Sequence, residues 1–304
     1  MSTFLLALII SCAASSGGGW ALPGMAGAAV WAGMASPPVV PAESDLTDCP
    51  QANDFLLGQG EAPVGQPAPS LSVRCEGGQV VVRSNGIPGF DFVQVTPNAL
   101  RAQSYTWRLP AEPRMAARPT DVPLGGPSAV AVNGLPIFGP TEAPHHGYRD
   151  PVLDELLDYC NGHTAPGGVY HFHARPDCLF ESTKGEVGLV VGYAFDGIPI
   201  LAPWVCKDGG CAEVLEVHSS YRLKERTYGA TITNAWDAHE YVEGLGQLDR
   251  CNGTTLADGR YVYFATDTFP YFMGCYAGEV ERQNLQRGVG GGGPPPGRPP
   301  MRGG

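Results

Sequence analysis

Positive charge is scarce in this sequence. Lysine and arginine total 19 against 30 aspartates and glutamates, a net charge of −11. Four of the basic residues, Arg282, Arg287, Arg298 and Arg302, sit at the C-terminal end, so the rest is more acidic still. Nucleic acid calls for a basic face against phosphate, and this balance excludes it as a partner. The chain also lacks any C-x-x-C pair, which argues against a zinc knuckle or a redox motif. No G-x-S-x-G elbow, P-loop or dinucleotide glycine pattern occurs. The apolar stretch from Leu22 to Val40 is interrupted by Pro23, Pro37, Pro38 and repeated glycine, which makes it a poor membrane span.

Glycine and proline are abundant instead, at 42 and 29 of 304 residues. Such punctuation is incompatible with a helical bundle. Hydrophobic residues are nevertheless 43% and charged ones 16%, enough to bury a core. Residues 15–42 read as a flexible Gly/Ala/Pro leader and 282–304 as a disordered Gly/Pro tail. Between them, 43–281 carries short β-branched and aromatic runs: Gln79–Arg83, Gln103–Leu109, Ser128–Val132, Val169–Ala174, Val187–Phe195 and Arg260–Ala265. One short helix is expected over Val152–Leu157, with Asp150 as cap and Pro151 at the first helical position. The fold class is mainly β: a turn-rich sandwich or barrel-like domain, disulfide-braced, with one or two short helices.

The N-terminus points to export. Phe4–Ile10 is a short apolar run followed by small residues, like the h-region and cleavage zone of a secretory signal over residues 1–14. Ile9-Ile10-Ser11-Cys12 looks like a lipobox, which would lipidate Cys12; cleavage after Ala14 or further on, with no lipid, is the other reading. The expected location is secreted, periplasmic or cell-surface, with membrane contact only through the signal or a lipid anchor. Removing Cys12 from the nine cysteines leaves eight, an even number for disulfides.

An internal repeat organises the middle. Leu157-Asp158-Tyr159-Cys160-Asn161-Gly162 returns as Leu248-Asp249-Arg250-Cys251-Asn252-Gly253, and the register then holds without a gap through Ala174 and Ala265. Asn133-Gly134-Leu135-Pro136-Ile137 likewise resembles Asp196-Gly197-Ile198-Pro199-Ile200. Two related β units follow, with the hairpin copies at 157–178 and 248–275. Each hairpin copy opens with one cysteine and is followed by another, which favours Cys160–Cys178 and Cys251–Cys275. Cys206–Cys211 and Cys49–Cys75 then remain.

Tyr170-His171-Phe172-His173, with Cys160-Asn161-Gly162-His163 before it and Gly192-Tyr193-Ala194-Phe195-Asp196-Gly197 after it, resembles the YHYH domain family. The later Gln247–Gly253 run and Phe269-Pro270-Tyr271 agree with it, and the resemblance covers roughly Val80 to Gly278. The family is found largely in secreted or surface proteins and has no established biochemical activity. Here the third letter of the string is Phe172, which removes one tyrosine hydroxyl.

Side chains alternate along a strand, so His171 and His173 share one face. Two imidazoles at that spacing can share a metal ion, and His163, across the Ala165–Gly168 turn, can supply a third. Three neutral imidazoles suit zinc or copper, and Asp158 or Asp196 could orient a ring or complete the site. The alternative is that both histidines hydrogen-bond backbone or carboxylate groups in a partly open cleft. In the second copy the three positions are Thr254, Val262 and Phe264, so the fold does not require histidine.

Three functions remain open: a metal-binding exported module, a non-catalytic surface module binding glycan or protein through Trp204, Tyr221 and Trp236, and a metal-dependent hydrolase or oxidoreductase.

Overall fold

The computed structural model describes residues 48–285, apart from 57–59, 181–182, 226–227 and 230–232. The expected signal, Cys12, the 15–42 leader and residues 286–304 lie outside the described residues.

The first strands are β1 (Leu71–Glu76), β2 (Gln79–Ser84), β3 (Tyr105–Pro110) and β4 (Met115–Asp121). β5 (Pro127–Ala131), β6 (Pro136–Phe138), β7 (Gly162–Ala165), β8 (Val169–Phe172), β9 (Val190–Ala194) and β10 (Pro199–Leu201) follow. The series continues through β11 (Trp204–Cys206), β12 (Val214–Glu216), β13 (Tyr221–Leu223) and β14 (His239–Tyr241). It closes with β15 (Gly253–Thr255), β16 (Tyr261–Phe264) and β17 (Cys275–Gly278). Glycine and Asx turns stop several of them, as Gly77-Gly78 does after β1, Asn133-Gly134 after β5 and Gly167-Gly168 after β7.

β1, β2 and β3 form an antiparallel sheet in that order, while eight strands form a larger one in the order β15-β16-β10-β9-β5-β6-β8-β7. That order reads alike from both edges: an outer hairpin, a strand parallel to the hairpin's inner member, then a central strand. The parallel contacts are Ile137 with Phe172 and Ile200 with Tyr263. At the centre β5 and β9 run antiparallel, pairing Ala129 with Ala194, Val130 with Tyr193 and Ala131 with Gly192. The sheet ends in two edges, so the mainly β expectation stands but no closed barrel forms.

The core lies between these sheets. Trp107 of β3 is fully buried and stacks on Phe195, just past β9, at 5.3 Å. β5 is buried at every position, as its apolar Pro-Ser-Ala-Val-Ala sequence and central place require. Four disulfides brace the fold: Cys49–Cys75, Cys160–Cys178 and Cys251–Cys275 at the core, and Cys206–Cys211 across a surface loop. Each would stabilise by about 2–4 kcal/mol, mainly by restricting the unfolded chain.

Three short helices occur among the described residues: α1 (Asp177–Phe180), α2 (Ala235–Ala238) and α3 (Arg282–Leu285). None of these helices is long and apolar enough to cross a membrane. The helix expected over Val152–Leu157 does not form. Asp150 does cap, accepting from the Val152 and Leu153 amides. Glu155, however, takes a left-handed φ of 55°, which ends the helical path after one turn. Residues 282–285 of the expected disordered tail instead form α3, which docks on β3. Asn284 is buried there, donating to Arg108 O at 2.7 Å and accepting from its amide at 3.1 Å.

Candidate metal centre

One hairpin and one loop assemble the site. The Cys160-Asn161-Gly162 turn shapes the hairpin. Asn161 takes φ 60°, and a Cβ at position 162 would sit 2.5 Å from the Tyr170 hydroxyl. β7 and β8 then pair with His163 directly opposite His171. His173 follows two residues on, towards the same face. The three imidazoles are 4%, 2% and 1% exposed. One ligand nitrogen from each lies within 4.8 Å of the others.

Every ring has its Nδ1 committed to main chain. Nδ1 of His163 donates to Leu156 O at 2.9 Å, that of His171 to Val169 O at 3.1 Å, and that of His173 to Gly139 O at 2.7 Å. A carbonyl only accepts, so the hydrogen resides on Nδ1 and the lone pair on Nε2. Nε2 of His171 and Nε2 of His173 approach to 2.9 Å. Two lone pairs at that distance repel unless a cation joins them.

A fourth group enters from the loop after β6. Glu142 Oε1 lies 3.1 Å from His163 Nε2 and 3.6 Å from His173 Nε2, with its side chain 12% exposed. With its hydrogen on Nδ1, neutral His163 has nothing to donate from Nε2, and this buried oxygen has no hydrogen-bond donor. Burial pushes the Glu142 carboxyl up. Only when protonated can His163 donate to Oε1 from Nε2, and that bond, with the fields of charged His173, His163 and His146, outweighs burial and holds the carboxyl at about 2.

Burial also favours neutral rings. It holds His171 well below the ordinary imidazole range, helped by the fields of His173 and His163. His173 is lowered to about 4 by burial and then by His163, against the opposing pull of Glu142 and Gly139 O. Neutral imidazole is the ligand form. Phe138 stacks on His171 at 3.8 Å and forms an apolar wall. The three-imidazole donor set suits a transition metal such as zinc, and the Glu142 oxygen lies beside two of its Nε2 atoms.

A family model described as YHYH protein matches residues 106–278. The chain belongs to the YHYH family. No curated protein and no solved structure matches it. The matched span holds β4 to β17, and so all four groups of the centre.

The two aspartates expected around this YHYH centre do other work. Asp158 accepts from the Tyr170 hydroxyl at 2.9 Å and from the Cys160 and Gly162 amides, which locks the hairpin turn. Asp196 sits in the other half, accepting from the Tyr263 hydroxyl and the Gly278 and Ile198 amides. Neither carboxylate bonds an imidazole. Backbone carbonyls orient the rings instead. His145 and His146 are exposed, whereas His239 is buried, stacked on Phe269 and bonded to Ala235 O. His218 is exposed and outside the cluster. Trp204, Tyr221 and Trp236, the aromatics of the surface-module reading, are all buried.

Glu142 is the site residue that the sequence did not yield. It is the only carboxylate between Asp121 and Asp150, two residues after Pro140. That isolation was its one signal.

Proposed function

We propose that this YHYH protein is an exported, non-catalytic binding module built around a structural transition-metal centre, with zinc the best fit. His163, His171, His173 and Glu142 would hold the ion. The observation that carries this reading is the inward set of uncommitted Nε2 lone pairs facing an orphaned carboxylate oxygen. Hydrogen bonding alone leaves those atoms unmatched, and a divalent cation matches all of them.

Closure supports a structural role over a catalytic one. Catalytic zinc keeps a position open to water or substrate, whereas Glu142, only 12% exposed, would take the fourth position beside three buried histidines. The metal would supply cross-linking of the β7–β8 hairpin to the loop after β6. Asp158 and Asp196, the candidate bases of a hydrolase, are already occupied elsewhere.

Four disulfides favour an oxidising compartment, and the apolar N-terminal run gives a route there. Lipidation at Cys12 would tether the domain; later cleavage would free it. We also read the two halves of the large sheet as copies of one β unit, since their order and pairing agree. Elemental analysis of protein purified without chelator tests the metal reading. One equivalent of zinc or copper, lost in His171→Ala plus His173→Ala, is expected. Less than about a tenth of an equivalent in the parent would sink it.

A further inference from the structure

His163, His171, His173 and His239 all commit a ring nitrogen to a backbone carbonyl. His145 and His146 commit none, and both are exposed. Their rings nevertheless sit together, with centroids 4.2 Å apart and planes tilted by 46°. The pair occupies a 3-10 turn, Pro144–His146, closed by Gly147 in the left-handed conformation. That turn is held in place: the His146 amide donates to Ala143 O at 2.9 Å, and Thr233 donates to Gly147 O at 3.3 Å. Just before it, the Glu142 amide donates to Arg149 O at 2.8 Å, tying the base of the loop.

Glu142 is also the most exposed of the four inner groups, at 12% against 5% and 1% for the side chains of His163 and His173. The buried centre therefore meets solvent on the side of Glu142, three and four residues before the exposed pair.

We propose that His145 and His146 form an outer capture site for a divalent transition metal, which passes the ion through Glu142 to the buried histidines. The inference rests on the metal reading above. Two imidazoles with water in the remaining positions bind weakly and exchange quickly, which suits capture. The transfer is ligand exchange without electron flow. Bonds from the ion to His145, His146 and water break as bonds to Glu142 Oε1 and the three Nε2 atoms form. The charge of Glu142 assists by attracting the cation inward.

Metal-free full chain mixed with cobalt(II) in a stopped-flow instrument provides the test, since tetrahedral cobalt absorbs strongly and reports arrival at the inner site. His145→Ala plus His146→Ala should slow loading at limiting cobalt at least fivefold, with unchanged final absorbance and equilibrium affinity. An unchanged rate, or a loss of affinity at unchanged association rate, overturns the proposal. A second variant separates it from the inner site. The full chain with His163→Thr, His171→Val and His173→Phe should keep one weak copper(II) equivalent with imidazole hyperfine coupling in its EPR spectrum. His145→Ala plus His146→Ala should remove that equivalent. Its absence overturns the capture site, whereas a parent chain showing only the weak equivalent overturns the inner centre.

Discussion

The two outer hairpins of the large sheet are built alike and filled differently. Gly162 pairs with Phe172 and His163 with His171; Gly253 pairs with Tyr263 and Thr254 with Val262 in the same register. Asp158 accepts from Tyr170 and Asp249 from Tyr261, both at 2.9 Å. Asn161 and Asn252 take φ 60° and 63°. Where the first hairpin gathers imidazoles against Phe138, the second packs Val262 and Phe264 with Leu201, Val217 and Leu248 in a small apolar cluster. One backbone thus supports two stabilising devices. Apolar burial needs no partner atoms of particular chemistry, while the imidazole cluster is satisfied only when something matches its lone pairs.

Breaking the first device should have the largest effect. His171→Ala plus His173→Ala should abolish stoichiometric metal binding, read by elemental analysis. Chelator should lower the melting temperature of the parent and leave the variant unmoved. Grafting the second hairpin's residues, His163→Thr with His171→Val and His173→Phe, should also remove metal yet preserve the fold by circular dichroism. Failure of that graft to fold would mean that the hairpins are not interchangeable.

Breaking the second device comes next. Phe264→Ala should cost about 3–5 kcal/mol in urea unfolding, through a cavity under β16, with no change in metal content. A chelator-dependent loss there would erase the contrast between the hairpins.

Acid should distinguish them at a slightly smaller scale. His173, at about 4 in the folded chain against about 6.5 unfolded, binds more protons when unfolded across that window. Its contribution is complete above the unfolded value and is lost as pH falls towards the folded one. Metal-free protein should therefore lose on the order of 3 kcal/mol between those limits beyond what the graft variant loses. Equal pH dependence for the two in urea titrations would rule this out.

Glu142→Gln is expected to have the smallest effect. It keeps the shape but removes the anionic ligand, and should weaken metal affinity roughly 10- to 100-fold, comparable to losing a polar group that supports a site. Competition with a chromophoric chelator would measure it; unchanged affinity would remove Glu142 from the ligand set.

Much of this contrast was legible in the sequence, because it is local. Strand alternation put His171 and His173 on one face, and the spacing of the two Cys-Asn-Gly turns aligned them with Val262 and Phe264. The same spacing put Cys160 with Cys178 and Cys251 with Cys275, as the structure joins them. What misled was also local. Asp150 and Pro151 are sound helix-start signals, but the Leu156 carbonyl is needed by His163, and the chain turns at Glu155 to deliver it. Asp158 and Asp196 resembled metal-site carboxylates because spacing alone cannot say which hydroxyls and amides will claim them.

The sequence by itself determined the β class, the turn-punctuated hairpins and the contents of each, since period, turn chemistry and residue type act over a few residues. Only the tertiary structure decided that Glu142 meets His163 and His173 and that backbone carbonyls fix the tautomers of the three imidazoles. It alone decided that the two hairpins stand at opposite edges of one open sheet. Those outcomes depend on which distant segments share a small volume, where burial makes an unmatched lone pair costly and so selects its neighbours.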